Sequence, residues 1–238
     1  MRVLAAGLLS ATLALPACGG DDESGSAGRP TRAAIEPADY TAKVDNPLFP
    51  LSSVRFTVSR GTERDPKTHE TTRTRVENRV LSKRTRVAGV TVTIVDFKEY
   101  EDGELVEHTS DYFAQHRDGS VWYFGEKVDN YENGKLVDHE GSWLAGQRGA
   151  RPGLFMPARP KPGESFDQER APGIAEDRST VVDVGLKVKV PAGSFSGCIR
   201  TKDFSPLDKV TEFKNYCPKV GLVRETEPGV LEELVSYR

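Results

Sequence analysis

The sequence predicts an all-β protein: an antiparallel meander of about ten to twelve strands forming a curved sheet or open barrel. Three observations predict it. Runs rich in β-branched and aromatic residues recur, such as Val90-Thr91-Val92-Thr93-Ile94-Val95 and Val121-Trp122-Tyr123-Phe124. Turn dipeptides punctuate them at short intervals: Ala88-Gly89, Asp102-Gly103, Asp118-Gly119 and Asn133-Gly134. No stretch of the body carries a long apolar period of 3.6 residues.

The chain opens with Met1-Arg2 and an uncharged run from Val3 to Leu15. A spanning helix needs about 20 apolar residues, so this shorter run reads as a secretory signal. It ends in Leu15-Pro16-Ala17-Cys18, an aliphatic residue, two further residues and a cysteine. That order resembles a bacterial lipobox. The resemblance implies cleavage after residue 17 and a lipid on Cys18, with a membrane as the partner of that anchor. Residues 18–40 continue as a polar, Gly/Ser-rich stretch, read as a flexible tether. Residues 41–238 are then one β-rich domain in an extracytoplasmic location.

The 238 residues carry a net charge of −3, which argues against a general nucleic-acid binder. Charge is unevenly spread. Residues 51–90 hold ten Lys or Arg and four Asp or Glu, whereas 96–140 hold thirteen Asp or Glu and four Lys or Arg. Neighbouring strands of opposite sign can pair across a ladder, and this is the favoured reading. A basic face toward anionic lipid is the other.

Two segments share one pattern at an offset of 31: Tyr100-Glu101-Asp102-Gly103-Glu104-Leu105-Val106-Glu107-His108 and Tyr131-Glu132-Asn133-Gly134-Lys135-Leu136-Val137-Asp138-His139. Each reads as a hairpin tip, and alternate tips of a meander fall on one edge. Residues 129–140 partly match a calcium loop, but Tyr131 stands at a ligand position and a hairpin explains Gly134 better. No metal or other cofactor is expected.

Residues 146–163 form a Pro/Gly-rich crossing with an apolar middle, Leu154-Phe155-Met156. A crossing of this length suggests a lid over a cavity or a pinned crossover. Trp122, Phe124 and Trp143 are the further candidates for a cavity wall. Downstream, Val182, Val184, Leu186, Val188 and Val190 alternate with Asp183, Gly185, Lys187 and Lys189, which predicts one buried and one wet face.

Cys198 and Cys217 are the remaining cysteines, and an even pair in an exported protein suggests a disulfide. Ser205-Pro206-Leu207-Asp208 reads as a turn between two strand-like runs. Folding about its centre, between Leu207 and Asp208, sets Cys198 directly across from Cys217.

Enzyme signatures are sparse. Gly193-Ser194-Phe195-Ser196-Gly197 has Phe where a nucleophile elbow needs Ser. His69, His108, His116 and His139 lack short ligand spacings. Glu126, beside Trp122-Tyr123-Phe124, and Asp129 are the residues on which an unrecognised hydrolase would rest.

Several segments together resemble a family of exported bacterial lipoproteins with no assigned activity. They are Asp45-Asn46-Pro47-Leu48-Phe49-Pro50-Leu51, Val121-Trp122-Tyr123-Phe124-Gly125-Glu126, Glu140-Gly141-Ser142-Trp143, Arg151-Pro152-Gly153 with Met156-Pro157-Ala158, Val190-Pro191-Ala192-Gly193-Ser194-Phe195, and Val220-Gly221-Leu222-Val223. The resemblance brings no catalytic residues with it. A more distant similarity is to open half-barrel lipoproteins that carry lipids or other lipoproteins. The leading expectation is therefore a non-enzymatic lipoprotein binding a hydrophobic or lipid-like ligand. The alternatives are an envelope interaction module using the hairpin edges at Glu101, Asp102, Glu132 and Asn133, and the hydrolase.

Overall fold

The computed structural model describes residues 35–238. The lipidation expected at Cys18 lies outside the described residues. After a single 3-10 turn, Pro37–Asp39, the chain forms fifteen strands in one antiparallel sheet. They are β1 (Tyr40–Thr41), β2 (Phe56–Arg64), β3 (Thr71–Val87), β4 (Val90–Glu101), β5 (Glu104–His116), β6 (Val121–Glu132), β7 (Lys135–Asp138) and β8 (Trp143–Leu144). The rest are β9 (Gly153–Met156), β10 (Ser165–Asp167), β11 (Arg178–Val190), β12 (Gly193–Phe204), β13 (Thr211–Cys217), β14 (Gly221–Glu227) and β15 (Val230–Tyr237). The main path has twelve strands, in the order β10 to β15, then β2 to β7. Short pieces account for the excess over the sequence expectation: β1 adds to β5, while β8 and β9 add to β6.

The topology is two meanders, β2–β7 and β10–β15, joined where β15 pairs with β2. The curved sheet does not close by strand pairing. Its two ends meet at an isolated bridge, where Arg151 N donates to Arg170 O at 3.0 Å. The seam is tight beside that bridge. A Cβ on Gly153 would lie 1.9 Å from Gln168 O, so only glycine lets the edges approach.

Turn chemistry sets the registers. Ala88-Gly89, Asp102-Gly103 and Asn133-Gly134 all take positive φ at both residues, the signature of two-residue type I′ hairpins. Because β4 to β7 are consecutive neighbours, the tips at 102 and 133 lie on one edge of the sheet. In β12–β13, Ile199 faces Tyr216 and Phe204 faces Thr211, the register the sequence predicts. Cys198 and Cys217 are joined by a disulfide, and both are fully buried.

The uneven charge is partly absorbed by register. Arg79 stands opposite Asp96 and Glu77 opposite Lys98. Other basic groups lie on rings: the Arg75 guanidinium is 3.9 Å from the Tyr100 ring centre and that of Arg79 4.4 Å from Phe56.

Three details differ from the sequence expectation. Residues 37–40, assigned to the tether by composition, belong to the fold. Tyr40 pairs with His116 and sets its ring against Trp122 and Phe124. The 146–163 crossing is not a free-standing lid, since its middle is β9, paired to β6. The valine alternation of β11 is also broken. Register shifts follow Val181, Asp183 and Leu186, and Gly185 takes φ +75°. Val188 and Val190 stay inside, whereas Val181 is buried and Val182 and Val184 are exposed.

Two apolar cores result. The larger one joins β3–β6 to the 44–51 segment and to Ala171, Ala175, Ile199 and Tyr216. The smaller one packs Val188, Val190, Val220, Val223 and Leu234 around the disulfide.

Candidate functional site

Period-two alternation sends one face of each central strand into the space the sheet encloses. Val76, Asn78 and Val80 of β3, Val95, Phe97 and Glu99 of β4, and Asp111 and Phe113 of β5 all reach it. Together with residues of β2, β6, β9 and β13–β15 they line a cavity of about 200 Å³. Strands of both meanders contribute, so the cavity is the space enclosed by the curved sheet itself.

The Asp45–Leu51 motif forms one wall. Asn46 anchors it: its side-chain amide donates to Gly119 O at 2.9 Å and Pro157 O at 3.2 Å, and its Oδ1 accepts from Leu48 N at 2.9 Å. Lys219 N donates to Pro47 O at 2.7 Å from the other side. Phe49 is thereby set 4.6 Å from the Phe155 ring and 5.0 Å from Phe113. Phe113 stacks on Tyr123 at 4.7 Å, and Phe155 packs edge-on to Phe113 at 4.9 Å. This is a continuous aromatic wall in the geometries that ring quadrupoles favour.

The opposite part of the lining is polar. The Tyr123 hydroxyl donates to Asp111 Oδ1 at 2.5 Å. Burial pushes the Asp111 carboxyl up to about 6. Glu126 stands opposite Asp111 in the register, and burial with the Asp111 charge holds it well above the ordinary carboxylate range. Glu169 follows β10 and is raised likewise, by burial and then by Glu126. Neither Glu169 carboxyl oxygen has a hydrogen-bond partner. Also in the lining, Lys214 Nζ lies 2.6 Å from Glu212, 3.6 Å from Asp203 and 4.0 Å from Glu225. Burial alone would depress this ammonium, but the three carboxylates outweigh it and hold Lys214 well above its usual range. Burial pushes Glu225 up to about 7.

A second hollow, about 270 Å³, adjoins Glu126 near Trp143, Ser142, Gln147 and Ile174. Trp143 Nε1 and Glu126 Oε1 are buried there without hydrogen-bond partners.

The structure separates the sequence-named candidates. Phe155 lines the cavity, and Trp143 borders the second hollow with its ring 5.4 Å from Tyr123. Trp122 and Phe124 are not wall residues. They sit on the other face of β6 and pack under Tyr40. Leu154 and Met156 flank Phe155 in β9 and do not line the cavity. Cys198 and Cys217 belong to the second core. Glu126 and Asp129 do not share a site. Their register is continuous and their separation odd, so they point to opposite faces, and Asp129 Oδ1 meets His139 Nδ1 at 2.8 Å. The calcium-like segment is spent on its hairpin, with Asp138 Oδ1 accepting from Asn130 Nδ2 at 2.7 Å and Glu140 N at 3.0 Å.

Sequence reasoning missed Tyr123, Asp111, Glu169, Lys214 and Glu225. Only Tyr123 had a signal, lying between the two aromatics that were named.

No family model matches the chain, and no curated protein does. The resemblance drawn from the motifs therefore rests on the motifs alone. A solved structure of a lipoprotein candidate from Parabacteroides distasonis is similar at 12% identity and a TM-score of 0.41. The match covers 80% of this chain and 98% of that one.

Proposed function

We propose that this chain is a lipid-anchored, extracytoplasmic binding protein whose half-barrel interior takes a hydrophobic or lipid-like ligand without chemical conversion. The observation that carries the reading is the cavity of about 200 Å³ walled by Phe49, Phe113, Tyr123 and Phe155. Ligand sites are characteristically concave, mainly apolar and equipped with a few convergent polar groups. The lipobox-like Leu15-Pro16-Ala17-Cys18 supports the anchor, and the polar, Gly/Ser-rich composition of the sequence after it suits a tether.

The test is native mass spectrometry of residues 19–238, secreted to a periplasm and purified without detergent, followed by solvent extraction. A stoichiometric apolar adduct is the expected result. A bare protein mass, with nothing in the extract, would contradict ligand carriage.

One observation favours a second role alongside the first. The β6–β7 tip exposes Leu136 and Val137 by about half, on the same edge as the β4–β5 tip. Such a tip offers an apolar contact to an envelope protein. Charge reversal at Glu101, Asp102 and Glu132 with a charge placed at Asn133 should then remove partners recovered by crosslinking, and an unchanged partner set would oppose that role.

A further inference from the structure

Resting on the reading of the interior as a binding cavity, we propose that its ligand carries a protonated amine, received by the Glu169 carboxylate beside the aromatic wall. Glu169 is 3% exposed, lines the cavity, and has no hydrogen-bond partner at either carboxyl oxygen. A buried polar group left this way costs free energy that a ligand donor can recover. Of the acids that line the cavity, it is the one with both carboxyl oxygens in that state. Asp111 has the Tyr123 hydroxyl, and Glu212 has the Lys214 ammonium.

The charge of the lining leans the same way. Glu99, Asp111, Glu169, Glu225 and Glu232 face the cavity, against Lys214 and Arg224. Both bases are already held. Lys214 is bound among its carboxylates, and Arg224 donates to Glu233 Oε1 through Nε at 2.9 Å and through its terminal nitrogen at 2.6 Å. The lining therefore offers the Glu169 carboxyl oxygens to a cation and no unengaged cation to an anion. The rings nearby suit an ammonium and its alkyl body, because a ring face attracts positive charge. Among the described residues no three His, Cys, Asp or Glu side chains converge as a metal site requires. The cation that suits this arrangement is thus an organic ammonium.

A neutral Glu169 would instead suit a ligand with a hydroxyl, and the test separates the two. Octylamine, 1-octanol and octanoate share one chain and differ in the head. Each is titrated by calorimetry at pH 7.5 into residues 19–238, into Glu169→Gln and into Phe155→Trp. Octylamine should bind the parent at least tenfold more tightly than the other two. Glu169→Gln should abolish that preference, and an unaltered circular-dichroism spectrum reports its intact fold. Phe155→Trp, which fills the cavity, should weaken octylamine and octanol together.

Equal binding of octylamine and octanol to the parent overturns the amine assignment and leaves the cavity reading standing. A preference for octylamine that survives in Glu169→Gln overturns the role of Glu169. Octylamine binding untouched by Phe155→Trp puts the amine elsewhere on the protein and overturns the proposal. If none of the three probes binds the parent, the cavity reading fails and the amine inference fails with it.

Discussion

The core around Cys198–Cys217 and the core around Phe113 share one sheet but are filled differently. The first is aliphatic: Val188, Val190, Val220, Val223 and Leu234 pack against a buried disulfide. The second surrounds a cavity and takes in charged groups, among them Glu126, Glu169 and Lys214. An interior built for stability alone would fill that space and exclude those carboxyls, since buried charge is tolerated only when paired. The contrast teaches where to look for function. The dry core holds the C-terminal meander together, whereas the wet core keeps an opening at a cost in stability.

Substitutions can break or sharpen this contrast. The largest effect is expected at Lys214, the cation at the centre of three carboxylates. Lys214→Met strands those charges and should lower stability by about 3–5 kcal/mol in urea unfolding at pH 7.5. In the dry core, Cys198→Ala with Cys217→Ala opens a loop of sequence separation 19 and should cost about 3 kcal/mol. That double variant should leave ligand binding unchanged. If it also abolished binding, the two cores would not be functionally distinct.

Asp111 gives the next effect, and it depends on pH. Its carboxyl is raised from 3.8 to about 6 in the folded protein, so the folded state holds a proton that the unfolded chain releases. The stability this contributes is present below about pH 4 and is lost as pH rises through about 6. Glu225, raised to about 7, acts in the same direction. The melting temperature should therefore fall between pH 5 and pH 8. Asp111→Asn keeps an acceptor for Tyr123, and should stabilise the protein at pH 8 by about 2 kcal/mol, allowing for partial solvent contact, with almost no gain at pH 4. Glu169→Leu is the smallest. Removing a buried carboxyl without a hydrogen-bond partner should raise stability by about 1 kcal/mol at pH 7.5 in the absence of ligand. A matching substitution of a dry-core residue, Leu234→Ala, should instead destabilise it, so these two substitutions act with opposite sign.

Much of the frame was legible in the sequence, because its determinants are local. Asp102-Gly103 and Asn133-Gly134 specify their hairpins by φ preference alone. The Ser205–Asp208 turn fixes the register that brings Cys198 to Cys217. The face of β6 was not legible. Alternation assigns Trp122 and Phe124 to one side and Tyr123 to the other, but both sides are apolar. The outer one is covered by Tyr40 and the inner one meets the cavity, and only the path of the N-terminal segment decides which is which. In β11 the bulges that expose Val182 and Val184 have one sequence marker, Gly185, too little to locate three register shifts. The interior acids were hidden for a related reason. Asp111 follows Thr109-Ser110 and Glu126 precedes Lys127, so each sits in a polar stretch that reads as surface. Glu169 lies outside the strands, where no period exists to read.

The central claim is that the wet core is a ligand site. A crystal structure of residues 19–238 purified without detergent from the envelope of the producing cell tests it most directly. The account predicts continuous density in the cavity, lying along the wall formed by Phe49, Phe113 and Phe155 and ending at the Glu169 carboxyl. A closed interior, with Phe155 packed over Glu169 and no space between them, would contradict it.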